Sequence, residues 1–151
     1  MLARMVKLLK QPCTPPILAE RILEIDNDLR PEGRSGAKVR SVASYAEYYE
    51  RWSETWERQA LTRARYMAGS EEVAQAFFRV VDRYRYPAEF TDRQLVDIRR
   101  MKARVESERM PRGADPTRQV KLGRGGLSDV EWLVQLLQLR HAHEVPELRT
   151  T

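Results

Sequence analysis

Residues 44–65, SYAEYYERWSETWERQALTRAR, decide the fold. Tyr45, Tyr49, Trp52, Trp56 and Ala60 recur at three- and four-residue intervals, the period that gathers side chains on one face of an α-helix. Ser44 followed by Glu47 is the capping-box pattern that opens such a helix, and Gly69 is placed to close it. On the opposite face Glu47 precedes Arg51 and Glu54 precedes Arg58 by four residues, the orientation that best supports a helix. The spacing therefore predicts one long amphipathic helix from Ser44 to near Gly69. Its aromatic stripe could stack on nucleic-acid bases, but aromatic residues on one helical face more often pack a core, and the core reading is the one adopted.

The same period continues downstream. Ser70 is placed to cap a second helix with Val73, Phe77, Val80 and Tyr84 inward, and Pro87 lies just beyond its end. Thr91 and Gln94 form a capping box for a third helix with Leu95, Ile98, Met101 and Val105 on one face. Arg99, Arg100, Lys102, Arg104 and Arg109 crowd that helix, and a solvated basic face is the expected use of them. After Pro111 and Gly113, residues 121–126 (KLGRGG) form a basic glycine-rich turn ahead of Ser128 and Glu131, a further capping-box pattern. Backbone N–H groups, the helix dipole, Lys121 and Arg124 could hold an anion there, although the run lacks the spacing of a Walker loop or a dinucleotide fingerprint. Val130, Leu133 and Leu137 on one side and Trp132, Leu136 and Leu139 on another predict a last helix packed at the centre of a bundle.

Upstream the pattern changes. Residues 1–20 read as a short basic amphipathic stretch that ends by Pro15 and Pro16. Residues 23–36, LEIDNDLRPEGRSG, follow Ile22 as a short strand that carries two acidic residues into a turn made by Pro31, Gly33, Ser35 and Gly36. Ala37 to Val42 could return as a second strand. Asp26 and Asp28, two apart on an extended backbone, would project from one face, an arrangement that suits a divalent cation such as Mg²⁺ and hence phosphoryl or nucleotidyl transfer.

Composition narrows the alternatives. The 151 residues include 27 Lys and Arg against 22 Asp and Glu, a net charge of +5 that favours anionic partners only modestly because acids and bases interleave. The one cysteine, Cys13, excludes an internal disulfide and a cysteine-based zinc site. His141 and His143 stand two apart and point to different faces of a helix, so a shared metal is not expected. No window approaches a membrane helix, and the start is too interrupted by charge for a signal peptide; a soluble, cytoplasmic protein is the expectation.

Taken together, LEIDNDLRPEGRSG, SYAEYYERWSETWERQALTRAR, RRMKARVESERMPRG (99–113) and KLGRGGLSDVEWLVQLLQLRHAHEVPELRTT (121–151) resemble the glutamine synthetase adenylyltransferases, from about Ile22 onward and in wording closest to the actinobacterial branch. The resemblance implies a polymerase-β-like nucleotidyltransferase domain followed by a helical domain. It also implies an enzyme that transfers AMP from ATP to a tyrosine of glutamine synthetase and, in a second half, removes it by phosphorolysis. The GGLSDVEW and LRHAHEVP wording is more similar to the adenylylating, C-terminal half.

For this chain the implied fold is mainly α. Residues 1–42 would be an N-terminal segment and the last strand or hairpin of a nucleotidyltransferase sheet, and residues 43–151 a helical domain truncated at its C-terminus. By the resemblance Asp26 matches the third of three carboxylates that hold two Mg²⁺ ions, and so carries both the catalytic and the metal-binding assignment. Arg30 would bind the nucleotide phosphates or brace the turn. Asp28 stands where many members carry arginine and receives no metal role. The Gly-Ser-x-x-Asp-x-Asp motif that supplies the other two carboxylates does not occur in the sequence. The isolated chain is therefore expected to be inactive. Glutamine synthetase, ATP and a PII-type signalling protein are the implied partners, with neither nucleic acid nor membrane among them. The alternative is a non-catalytic helical module that binds glutamine synthetase or a PII-type protein.

Overall fold

The computed structural model describes residues 2–9, 11 and 29–151, and these fall into two compact units, residues 1–40 and 41–151. The architecture is mainly α, with no strand among the described residues. The predicted strand at Ile22–Ile25 lies outside them.

In the first unit, α1 (Leu2–Leu9) is a short basic helix with no acidic residue in its first turn. Residues 29–40 form a wound turn around a 3₁₀ segment at Gly33–Ser35. Glu32 and Gly33 both adopt left-handed backbone, with φ of 63° and 55°. Gly36 is the sterically obligatory glycine, because a Cβ there would stand 2.0 Å from the Pro31 carbonyl oxygen. The return strand foreseen at Ala37–Val42 does not form. Residues 37–40 bend, and Val42 already belongs to a helix because Ser41, not Ser44, is its cap.

The second unit begins there. Ser41 Oγ accepts from the Ser44 N–H at 3.2 Å and opens α2 (Val42–Arg51). The long helix foreseen from Ser44 to Gly69 is two helices, α2 and α3 (Thr55–Leu61). The break has a local cause. Ser53 Oγ donates to the Tyr49 carbonyl at 2.6 Å, and Glu54 with Glu57 forms a reciprocal capping box that starts the next helix. Glu54 is thereby spent as a cap. Its expected partner Arg58 donates to Ser53 Oγ at 3.1 Å instead, whereas the Glu47–Arg51 pair forms as expected at 3.0 Å.

The break also splits the aromatic stripe. Tyr45 and Tyr49 pack inward against α4 (Glu71–Arg85): Tyr45 meets Phe77 edge-on at 5.1 Å and Tyr49 lies 5.7 Å from Tyr84. Together with Leu61 and Val81 they form the core, while Trp52 is left 69% exposed. Ser70 caps α4 and the Thr91–Gln94 box caps α5 (Asp92–Arg109), both as the sequence predicts.

The hub is the seven-residue α3, which packs against α4, α5 and α6 (Leu127–His141). The central position foreseen for α6 belongs to α3. Across the α3–α6 crossing the buried Gln59 donates its Nε2 to Gln135 Oε1 at 2.8 Å, and Arg63 pairs with Glu131. Arg85 ties α4 to the end of α3. Its guanidinium donates to the Leu61 and Ala64 carbonyls at 3.4 and 3.0 Å and lies over the Phe78 and Tyr86 rings.

Candidate functional site

Of the residues singled out by sequence, Asp26 and Asp28 lie outside the described residues. Arg30 is described, and its surroundings are specific. Nε donates to the Gly36 carbonyl at 3.1 Å and Nη2 to the Arg34 carbonyl at 2.8 Å. The guanidinium thus closes the turn that follows the acidic pair, with Gly33 N–H on the Arg30 carbonyl at 2.8 Å and Ser35 Oγ on the Glu32 carbonyl at 2.9 Å. Glu32 pairs with Arg40 across the same turn. Bracing the turn is one of the two roles the sequence offered for Arg30, and these two backbone carbonyls are partners in it. Arg40 and Glu32 carried no signal in the sequence, since an ion pair across an irregular turn leaves no period to read.

The glycine-rich turn before α6 is the second candidate, and it is filled from within. The Gly123 N–H goes to the Gln119 carbonyl at 2.7 Å, Gly126 to Gly123 at 2.9 Å, Leu127 to Val120 at 2.9 Å and Ser128 to Lys121 at 3.0 Å. Gly126, not Ser128, is the N-cap, so the expected Ser128–Glu131 capping box is absent and Ser128 is a buried first-turn residue. These backbone N–H donors are already committed within the turn.

A carboxylate closes the turn instead. Asp129 Oδ2 accepts the Gly125 N–H at 2.7 Å, and its Oδ1 accepts from the Lys102 ammonium of α5 at 2.5 Å. Glu106, one turn on from Lys102, takes the same ammonium. The Lys102 hydrogen bond, then the Gly125 N–H, hold the Asp129 carboxyl below the usual carboxylate range. Partial burial pulls the Lys102 ammonium down, and its hydrogen bonds to Asp129 and Glu106 more than offset this, leaving it above the ordinary lysine value. The sequence reading missed Asp129; its signal was an acid in a helix first turn, where the dipole favours it. Its distant partner Lys102 carried no such signal.

The basic helix α5 is therefore partly neutralised: Lys102 serves Asp129 and Glu106, and Arg104 serves Glu108 at 2.8 Å. Among the described residues no group of three or more His, Cys, Asp or Glu side chains could hold a metal. No described helix is long and apolar enough to cross a membrane.

Comparison with known proteins gives the family. A family model described as glutamate-ammonia ligase adenylyltransferase matches residues 1–80, and one described as GlnD PII-uridylyltransferase matches residues 99–151. The chain belongs to the glutamate-ammonia ligase adenylyltransferase family. It is 57% identical over 151 residues to a bifunctional glutamine synthetase adenylyltransferase/adenylyl-removing enzyme of Streptomyces avermitilis, a match that covers 99% of this chain and 14% of the relative. Enzymes of the same name from Mycobacterium tuberculosis (strain ATCC 25618 / H37Rv) and Nocardia farcinica are 59% identical over 130 residues and 54% identical over 149, covering 85% and 98% of this chain and 13% and 14% of those relatives. The chain thus spans about one seventh of the Streptomyces relative, at 14% of its length.

Proposed function

We propose that this chain acts within a longer nucleotidyltransferase that moves AMP from ATP to a tyrosine of glutamine synthetase. The observation that carries this reading is the 57% identity to the Streptomyces enzyme along 99% of the chain. Residues 1–42 would then be the end of the nucleotidyltransferase domain and residues 43–151 the start of its helical domain, in the adenylylating, C-terminal half. Glutamine synthetase is the protein substrate of this proposal, ATP the AMP donor and a PII-type signalling protein the further partner, in the cytoplasm.

Asp26 would be one of the carboxylates that hold Mg²⁺. When bound, such ions neutralise charge that grows on the transferring phosphate. A single carboxylate does not make a two-metal site, and the described residues provide no further set of ligands. What this chain's own residues would do is narrower. Asp26 would draw the proton from the attacking tyrosine hydroxyl. Arg30, fixed by the Gly36 and Arg34 carbonyls, would hold the turn after Asp26 in place.

The test is AMP transfer followed with labelled ATP, Mg²⁺ and glutamine synthetase. The 151-residue chain is expected to give none. The full-length Streptomyces relative is expected to give transfer that falls by at least about a thousandfold when the residue aligned with Asp26 is made asparagine. Robust transfer by the short chain, or an unaffected variant, would sink the proposal.

A further inference from the structure

The apolar side chains left in the open concentrate on one helix. On α6, Leu127, Val130, Leu133, Val134 and Leu137 are 65, 60, 58, 46 and 44% exposed. At 3.6 residues per turn they occupy about a third of the helix circumference, opposite the side that seats Ser128, Gln135, Leu139 and Ala142 in the domain. His141 is the polar residue that falls within that arc. The stripe runs about 15 Å along the helix, three turns of contact surface without a charged side chain.

Its chemistry distinguishes among occupants. A surface used by a transient partner, such as a protein substrate or a regulator, is about as polar as the rest of a protein, whereas a permanent contact is as apolar as a core. A soluble chain also rarely leaves so continuous a stripe uncovered. The first relative is matched over only 14% of its length, so its polypeptide holds ample further chain to cover such a face. A second copy fits less well. An antiparallel pairing that set Leu127 on Leu137 and Val130 on Val134 would bring Arg124 of one copy toward Arg140 of the other.

We propose that the Leu127–Leu137 face of α6 is a permanent intramolecular docking face. In the longer polypeptide it is covered by an amphipathic helix of that same polypeptide that turns Leu, Ile or Val side chains, and no charge, toward it. The inference rests on family membership and on the open face, and it stands apart from AMP transfer.

Site-resolved maleimide labelling tests it. A cysteine is placed at Leu133 (L133C) in this chain and at the aligned position in the full-length Streptomyces relative, with V130C as a second reporter should L133C disturb the helix. A103C, at an exposed position of α5, serves as the control. L133C and V130C are expected to label rapidly in the short chain and at least about tenfold more slowly in the full-length relative with no other protein present, while A103C labels alike in both. Equal labelling in the two proteins overturns the proposal. So does protection that appears only when glutamine synthetase or a PII-type protein is added, or protection in the short chain that grows with its concentration.

Discussion

Arg85 shows how much of this fold hangs on single side chains that no periodic pattern announces. It sits at the end of α4, where a basic residue is expected to favour the helix dipole, yet its guanidinium spends its donors on the end of another helix. Between the Phe78 and Tyr86 rings, 4.8 and 4.9 Å from their centroids, and with Asp82 at 2.8 Å, its side chain is only 11% exposed. Removal takes the side-chain donor from the Leu61 and Ala64 carbonyls and the cation from the Phe78 ring, while the Leu61 carbonyl keeps the Ala64 N–H and Tyr86 keeps Arg149. Arg85→Ala is expected to destabilise the chain by about 2–3 kcal/mol in urea unfolding, and Arg85→Lys to recover only part of this because an ammonium cannot serve both carbonyls and both rings at once. Trp52 supplies the contrast. Left 69% exposed by the break after α2, it should tolerate Trp52→Phe within about 0.5 kcal/mol.

At the scale of elements, the turn before α6 is built by glycines of different kinds. A Cβ on Gly123 would stand 2.3 Å from the Pro116 carbonyl oxygen and 2.5 Å from that of Gln119, whereas around Gly125 there is open space and only a φ of 74° to satisfy. Gly125→Ala should therefore cost about 1 kcal/mol of backbone strain, and Gly123→Ala distinctly more because backbone must move; thermal unfolding of the two variants gives the order. The pH response of the α5–α6 junction follows from its ion pair. The Asp129 carboxyl is held below its unfolded value of about 3.9, so its contribution is present above that pH and lost as pH falls through the lowered value. Lys102 is raised above its unfolded value of about 10.4, so its contribution is present below that and lost as pH rises through the raised value. Tyr49, pushed up by burial and then by Glu57, adds to the alkaline limb above about pH 10, where the unfolded phenol ionises first. Denaturant midpoints across pH should show a plateau near neutrality, and Asp129→Asn should flatten its acid edge; an unchanged acid edge would refute the assignment. Capping signals at Ser70 and Thr91 were legible because they act within four residues. The same local logic failed at Ser44 and Ser128, where Ser41 and Gly126 took the cap because the preceding backbone had already turned. Helix periodicity could not reveal the break at Ser53 either, since the apolar spacing runs unbroken through it and only the Glu54–Glu57 box marks the new start.

For the molecule as a whole, the sequence pattern tells which faces are apolar but not which of them another part of the chain covers. That is why α6, apolar around most of its circumference, read as a central helix while the short α3 holds the centre. Tyr49, Leu61, Val81, Tyr86, Ile98, Leu139 and Ala142, all within residues 41–151, are buried apolar residues, and Pro31 is a buried apolar side chain in the first unit. Residues 41–151 also hold long-range polar ties: Gln59 to Gln135, Lys102 to Asp129, and Gln138 Nε2 to the Leu148 and Thr150 carbonyls at 2.9 and 2.8 Å. Arg149 adds a last clasp, with Nε on the Ala142 carbonyl at 2.8 Å and its guanidinium over the Tyr86 ring. A unit with its own core and its own closing contacts should fold by itself. Residues 41–151, with Ser41 kept as the cap of α2, are expected to give a helical circular-dichroism spectrum and a single cooperative thermal transition within about 4 °C of the whole chain's. Leu139→Ala, at a site 1% exposed, should lower the stability of either form by about 2–5 kcal/mol. If removing residues 1–40 abolished the transition, the core would have to draw on the first unit. If it left the transition in place while Leu139→Ala had no effect, the packing of α6 against the rest of the domain would be wrong.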